Sequence, residues 1–120
     1  MKKMTVFLAA LLLSASTYAS LGEQLEGEGK IYQNPSITIV RKTFSPDKGM
    51  KRHHHPNSQV VLTVINGKAV FTLDNDDGKN REEHTLTAGE VLTFNGENYI
   101  TGKFEEPTMV VVTLVEDEQK

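Results

Sequence analysis

The sequence predicts an all-β fold, a single domain built as a barrel or jelly-roll sandwich. Three observations predict it. Apolar residues fall in short runs rich in Val, Ile, Thr and Phe, such as QVVLTVI and TMVVVTLV. Turn formers interrupt these runs repeatedly: SPDKG, NG, DNDDGKN, AGE and NGEN. After the first 19 residues no stretch sustains a helical period. Short β-rich runs with frequent turns can bury an alternating face only by packing sheet on sheet or closing on themselves.

The start of the chain stands apart. MKKMTVFLAALLLSASTYAS opens on Lys2 and Lys3, runs through apolar residues from Val6 to Leu13 and ends in small residues, with Thr17 and Ala19 before a cleavage site. The apolar run is too short to span a bilayer as a helix. Residues 1–19 therefore read as a secretory signal peptide, and the mature protein as periplasmic or secreted, without a stable membrane anchor. The chain has no cysteine, which excludes a lipid-anchored form and any disulfide. Residues 20–30, SLGEQLEGEGK, are polar and glycine-rich and read as a loosely ordered lead-in to a β domain over 31–120.

Within that domain the first strand is SITIVRKTF, ended by the Pro-Asp-Lys-Gly turn. QVVLTVI and KAVFTL flank Asn66-Gly67, a strong hairpin signal. DNDDGKN reads as a second, longer hairpin loop; its Asp74, Asp76 and Asp77 lack the spacing and closing glutamate of a calcium loop. EHTLT, EVLTF and TMVVVTLV complete the set. QVVLTVI and MVVVTLV are apolar at consecutive positions, so both of their faces are expected to be covered. The tail EDEQK is a solvated end.

Composition limits the function. The chain carries 13 basic and 16 acidic residues, a net charge of −3. Without Lys2 and Lys3 it keeps 11 basic residues against 16 acidic ones, a net charge of −5. Nucleic acid is not an expected partner, because phosphate binding needs a concentrated basic surface. About 100 residues suffice for one core, held by burial alone or with a metal's help.

Three of the four histidines lie together in KGMKRHHHPNSQ. Residues i and i+2 of a strand share a face, so His53 and His55 point one way and His54 the other, into solvent. Two imidazoles side by side on a strand are a start for a divalent transition-metal site. Gln59 has the parity of His55, and its amide oxygen is a candidate third donor.

The order FSPDKGMKRHHHP, a strand, NGKAVFTL and then HTLTAGEVLTF resembles the cupin superfamily. Phe44, Pro46, His53, His55, Pro56, Gly67 and Phe71 stand where the first cupin motif and its following strand have them; Leu86, Ala88, Gly89, Glu90 and Phe94 match the second. The likeness runs over roughly residues 35–115. It implies a small-ligand barrel with a divalent metal (Zn, Fe, Mn or Ni) on His53 and His55. The third ligand, a glutamate in most cupins, falls on Gln59 counted from His55 and on Val60 counted back from Gly67; glutamine is favoured, because some sugar-acid-handling cupins use it. Catalytic members would carry out isomerase, lyase or dioxygenase chemistry on a small polar molecule such as a sugar acid. The departures lie in the second motif, where Asn95 stands for a proline and Ile100 for the last histidine. Tyr99, beside Ile100, and His84, with the strand parity of Leu86, are candidate pocket residues. Two readings stay open: a metal-bearing cupin, and a non-catalytic ligand-binding or structural cupin with a decayed metal site. Cupins commonly pair through their sheets, so a homodimer is expected as a way to cover exposed edges.

Overall fold

The computed structural model describes residues 21–117. The expected signal peptide, residues 1–19, lies outside the described residues. Nine strands follow in order: β1 Gly29–Gln33, β2 Ile37–Phe44, β3 Met50–His53, β4 Ser58–Asn66, β5 Lys68–Asp74, β6 Arg81–Thr87, β7 Val91–Asn95, β8 Tyr99–Phe104 and β9 Thr108–Glu116. They form two sheets, five strands in the order β1-β2-β9-β4-β7 and four in the order β3-β8-β5-β6. Every paired neighbour is antiparallel. The sheets face one another as a jelly-roll sandwich, with no strand bridging them into a closed barrel among the described residues.

Alternation builds the core. In β4, Val60, Leu62 and Val64 are buried; in β5, Ala69, Phe71 and Leu73; in β7, Leu92 and Phe94. These inward faces meet Ile100 and Phe104 of β8 and Val110 of β9. Phe104 stacks on Phe44 across the two sheets, centroids 4.8 Å apart, and meets Phe71 edge-on at 5.9 Å. Both aromatic geometries are favourable ones.

Three features differ from the sequence expectations. First, β1 begins at Gly29, inside the expected lead-in, and the preceding residues are tied to β2: Arg41 donates to the Gly27 carbonyl and Thr43 Oγ1 to Glu28. Second, Asn66-Gly67 does not close a hairpin. β4 pairs with β7 and β9, whereas β5 pairs with β6 and β8, so the chain crosses from one sheet to the other at this turn. Gly67 has φ 98°, and a Cβ there would lie 2.8 Å from the Pro107 carbonyl and collide with the Thr108 hydroxyl. The turn chemistry was legible, but the partners were set elsewhere in the chain. Third, Tyr99–Phe104 is a full strand, β8. Its Gly102 is required by space, because a Cβ would sit 3.1 Å from Met50 and Phe71 atoms. DNDDGKN does close a hairpin, between β5 and β6.

Candidate functional site

The two sheets part between β2 and β3, and there a cavity of about 840 Å³ opens into the core. Its depth is apolar, walled by Phe44, Met50, Leu62, Phe94, Ile100 and Val110. Its polar lining includes His53, His55 and three lysines, Lys42, Lys48 and Lys51.

β3 ends at His53 and places that residue. A register shift between Met50 and His53 lets these two, of opposite strand parity, both line the cavity. His53 Nδ1 lies 2.7 Å from the Lys51 carbonyl. A carbonyl only accepts, so Nδ1 carries the proton and the neutral ring keeps its lone pair on Nε2. His55 is fixed by its backbone, whose N–H donates to the Gly96 carbonyl at 2.8 Å. The two rings are 4.9 Å apart and perpendicular. Burial, and then the neighbouring His53 and His54, hold the His55 imidazole below the usual histidine range.

The other expected donor is not brought to this pair. Gln59 is exposed on the outer face of β4, where its amide donates to Thr93 Oγ1 at 3.0 Å. The parity count from His55 fails because Asn57, just after Pro56, has φ 70° and breaks the extended chain between them. Val60 faces inward in its place, 1% exposed. Ile100 is the register partner of His53 across β3 and β8 and is 2% exposed. Among the described residues, no three His, Asp or Glu side chains converge as a metal-binding group. Two imidazoles do not fit a centre of four protein donors, and the inward neighbours Val60 and Ile100 offer only hydrocarbon.

Tyr99, His84 and His54 also differ from expectation. Tyr99 does not line the cavity. Its ring takes the His54 imidazole in a near-parallel stack at 4.1 Å and the Arg52 guanidinium over it at 3.8 Å. Two groups that close to one centroid must occupy opposite faces, so Tyr99 is sandwiched. Arg52 and His54 share strand parity, which opens the slot. His54 is thus half-buried rather than solvated, and its Nδ1 is buried without a hydrogen-bond partner. Arg52 also pairs with Asp74, Nη2 to Oδ1 2.7 Å, and this hydrogen bond holds the Asp74 carboxyl below the usual carboxylate range. His84 lies in a separate groove beside β7, bonded to Glu82 at 3.1 Å.

No family model matches the chain, and neither does any curated protein. Solved structures do. An RmlC-like cupin family protein with a double-stranded β-helix fold from Methanocaldococcus jannaschii superposes with a TM-score of 0.66 at 16% identity, over 82% of this chain and 94% of that one. A cupin superfamily protein from Desulfitobacterium hafniense DCB-2 gives a TM-score of 0.64 at 15% identity, over 88% and 90%. The chain has the cupin fold. A structure of Fe(II)-HppE with an alternative substrate, (S)-1-HPP, is a more distant match, with a TM-score of 0.55 at 14% identity, over 67% of this chain and 43% of that protein.

Within the cupin fold, His53 and His55 stand at the cavity mouth, the favoured third donor Gln59 faces outward, and the alternative third position and the fourth are the aliphatic Val60 and Ile100. Sequence reasoning did not gather the three lysines. Lys48 and Lys51, with Arg52, read only as a short local basic cluster, and Lys42 shares the parity of Val40 and Phe44, so a charge stood at an inward position of β2. The Arg52–Asp74 pair joins residues 22 apart and left no local trace.

Proposed function

We propose that this protein is an exported, non-catalytic cupin that binds a small molecule in the cavity between its sheets, with the polar end of the ligand at His53 and His55. The observation that carries this reading is the combination of a large apolar cavity with only two donor side chains of metal-ligand type at its mouth. A pocket of several hundred cubic ångströms with a few convergent polar groups is what small-ligand binding needs. Aliphatic Val60 and Ile100 beside the histidines weigh against a fully coordinated metal. The apolar walls also weigh against a sugar acid, whose hydroxyls would lose water without gaining partners. Export rests on the leader sequence alone and is tested by N-terminal sequencing of the secreted product, which should begin at Ser20.

A thermal-shift and calorimetric screen of small organic acids, alcohols and sugars tests the binding role. A saturable ligand lost in a Phe94→Arg variant that fills the cavity supports it. Absence of any ligand across amphipathic and polar compounds would remove it.

One observation favours a second reading. The His53 Nδ1 bond to a backbone carbonyl is an arrangement that orients metal-bound histidines, and it leaves Nε2 as a donor. A divalent transition metal on His53 and His55, completed by water, is that reading; it receives general support from the Fe(II)-bearing protein of the same fold. Elemental analysis after loading with Zn, Fe, Mn and Ni separates the two. Stoichiometric metal in the wild type, absent from a His53→Ala/His55→Ala variant, would replace the first reading with the second.

A further inference from the structure

We infer that the ligand is an amphipathic organic anion, a small carboxylate with a hydrocarbon body. The inference rests on the proposed binding role of the cavity and adds the chemistry of its occupant. Its basis is a charge asymmetry. The chain has 16 acidic residues, yet no Asp or Glu side chain lines the cavity, while Lys42, Lys48 and Lys51 do. None of these three ammonium groups has a carboxylate within ion-pair distance among the described residues. They come from three places: Lys42 from β2, Lys48 from the β2–β3 turn and Lys51 from β3. Lys42 Nζ lies 5.5 Å from the Phe44 ring centroid, a cation–π contact against the cavity wall.

Three cations without carboxylate partners around one apolar opening make a positive rim, and an incoming anion supplies the counter-charge that the lining lacks. In a protein of net negative charge, the positive mouth also draws anions to one place on the surface. The depth of the cavity sets the rest of the ligand. Beyond the mouth the walls are hydrocarbon and aromatic, so the body must be apolar to gain from entry. No arginine lines the mouth. The planar fork that favours phosphates and dicarboxylates is therefore missing, and a single carboxylate met by ammonium groups is the better match.

The test is isothermal titration calorimetry of the purified protein with octanoate, 1-octanol, octylammonium and acetate. Octanoate is expected to bind one per protein, at least about tenfold tighter than 1-octanol, since one ammonium–carboxylate contact near a low-dielectric surface suffices for that difference. Octylammonium and acetate are expected to be weaker than 1-octanol. In a Lys48→Gln/Lys51→Gln variant, whose changes fall on exposed side chains, octanoate should fall to within about threefold of 1-octanol, with 1-octanol itself unchanged. Equal binding of octanoate and 1-octanol to the wild type would overturn the anion assignment and leave the cavity as a binding site. Acetate as tight as octanoate would overturn the apolar body. If no octyl compound binds, the inference fails; if the polar compounds of the screen also fail to bind, the binding role fails with it.

Discussion

Gly96 holds the histidine loop against the β7–β8 turn, and replacing it with alanine should release that loop. A Cβ at this position would lie inside van der Waals contact of the His55 carbonyl and 2.7 Å from the Ser58 carbonyl, both rigid backbone. The same backbone makes two hydrogen bonds with Gly96: His55 N–H to its carbonyl and its own N–H to the Ser58 carbonyl, each 2.8 Å. Relieving the clash moves the two segments apart by about an ångström, which takes both bonds beyond useful length. Each bond contributes about 0.5–1.5 kcal/mol net, and groups left unpaired at a buried position cost more. The expected loss is about 2–4 kcal/mol, or a fall in melting temperature of about 10–25 °C for a domain of this size. Urea denaturation followed by far-UV circular dichroism measures it. Gly22→Ala is the control, because a Cβ there meets nothing within 4 Å and should change stability by less than about 0.5 kcal/mol. A Gly96→Ala protein as stable as the control would falsify the claim that this contact fixes the loop carrying His55.

Three further outcomes are expected. Ile100→His places a third imidazole opposite His53 in the β3–β8 register, and should raise Ni or Zn affinity at least about tenfold over the wild type by metal-competition titration; unchanged affinity would mean that position 100 does not reach the histidine pair. Because the folded protein holds the His55 pKa below its unfolded value, the unfolded chain binds the proton first as pH falls, so the contribution of neutral His55 is complete above about pH 6.5 and is lost as pH drops toward the folded pKa. Urea midpoints between pH 8 and 5 should decline less in His55→Gln than in the wild type, and parallel curves would refute the assignment. Val91, Val115 and Ile65 are exposed on the outer face of the five-stranded sheet (56%, 38% and 44%); if that face pairs two copies, sedimentation velocity should show a dimer that Val91→Glu converts to monomer, whereas a monomeric wild type would remove the homodimer.

Strands whose sequence alternates or is wholly apolar were legible, namely β2, β4, β5, β6, β7 and β9. Of those missed, β1 and β3 are short and polar, with partners that supply what their own residues do not. β3, MKRH, buries only Met50, and β1, GKIYQ, buries nothing fully. They are extended because β8 and β2 pair with them. β8 reads poorly because Gly102 sits at its middle, where lack of a side chain is the requirement for Met50, Phe71 and Phe104 to meet. A propensity scan counts that glycine against a strand, whereas the packing needs it in one.

The candidate site divides along the same line. His53 and His55 line one cavity, as their i, i+2 spacing expects, although β3 ends at His53 and the N–H bond to the Gly96 carbonyl holds His55. Gln59 was reached by carrying that alternation through Pro56 and Asn57, and one residue at φ 70° was enough to turn it to the other face. A parity argument is therefore only as good as the extended chain beneath it, and an X-Pro-Asn stretch is where to stop counting. The positive mouth was harder to see for a different reason. Lys42, Lys48 and Lys51 belong to a chain with more acids than bases, and in sequence only Lys48 and Lys51, beside Arg52, make a short local cluster. Only the folding of β2 and β3 along two sides of one opening gathers them, and only the same folding leaves every carboxylate out of the lining. The function of such a pocket is set by a sum over side chains that no local motif contains, which is why the motif in this chain points to a metal and the assembled cavity points to an anion.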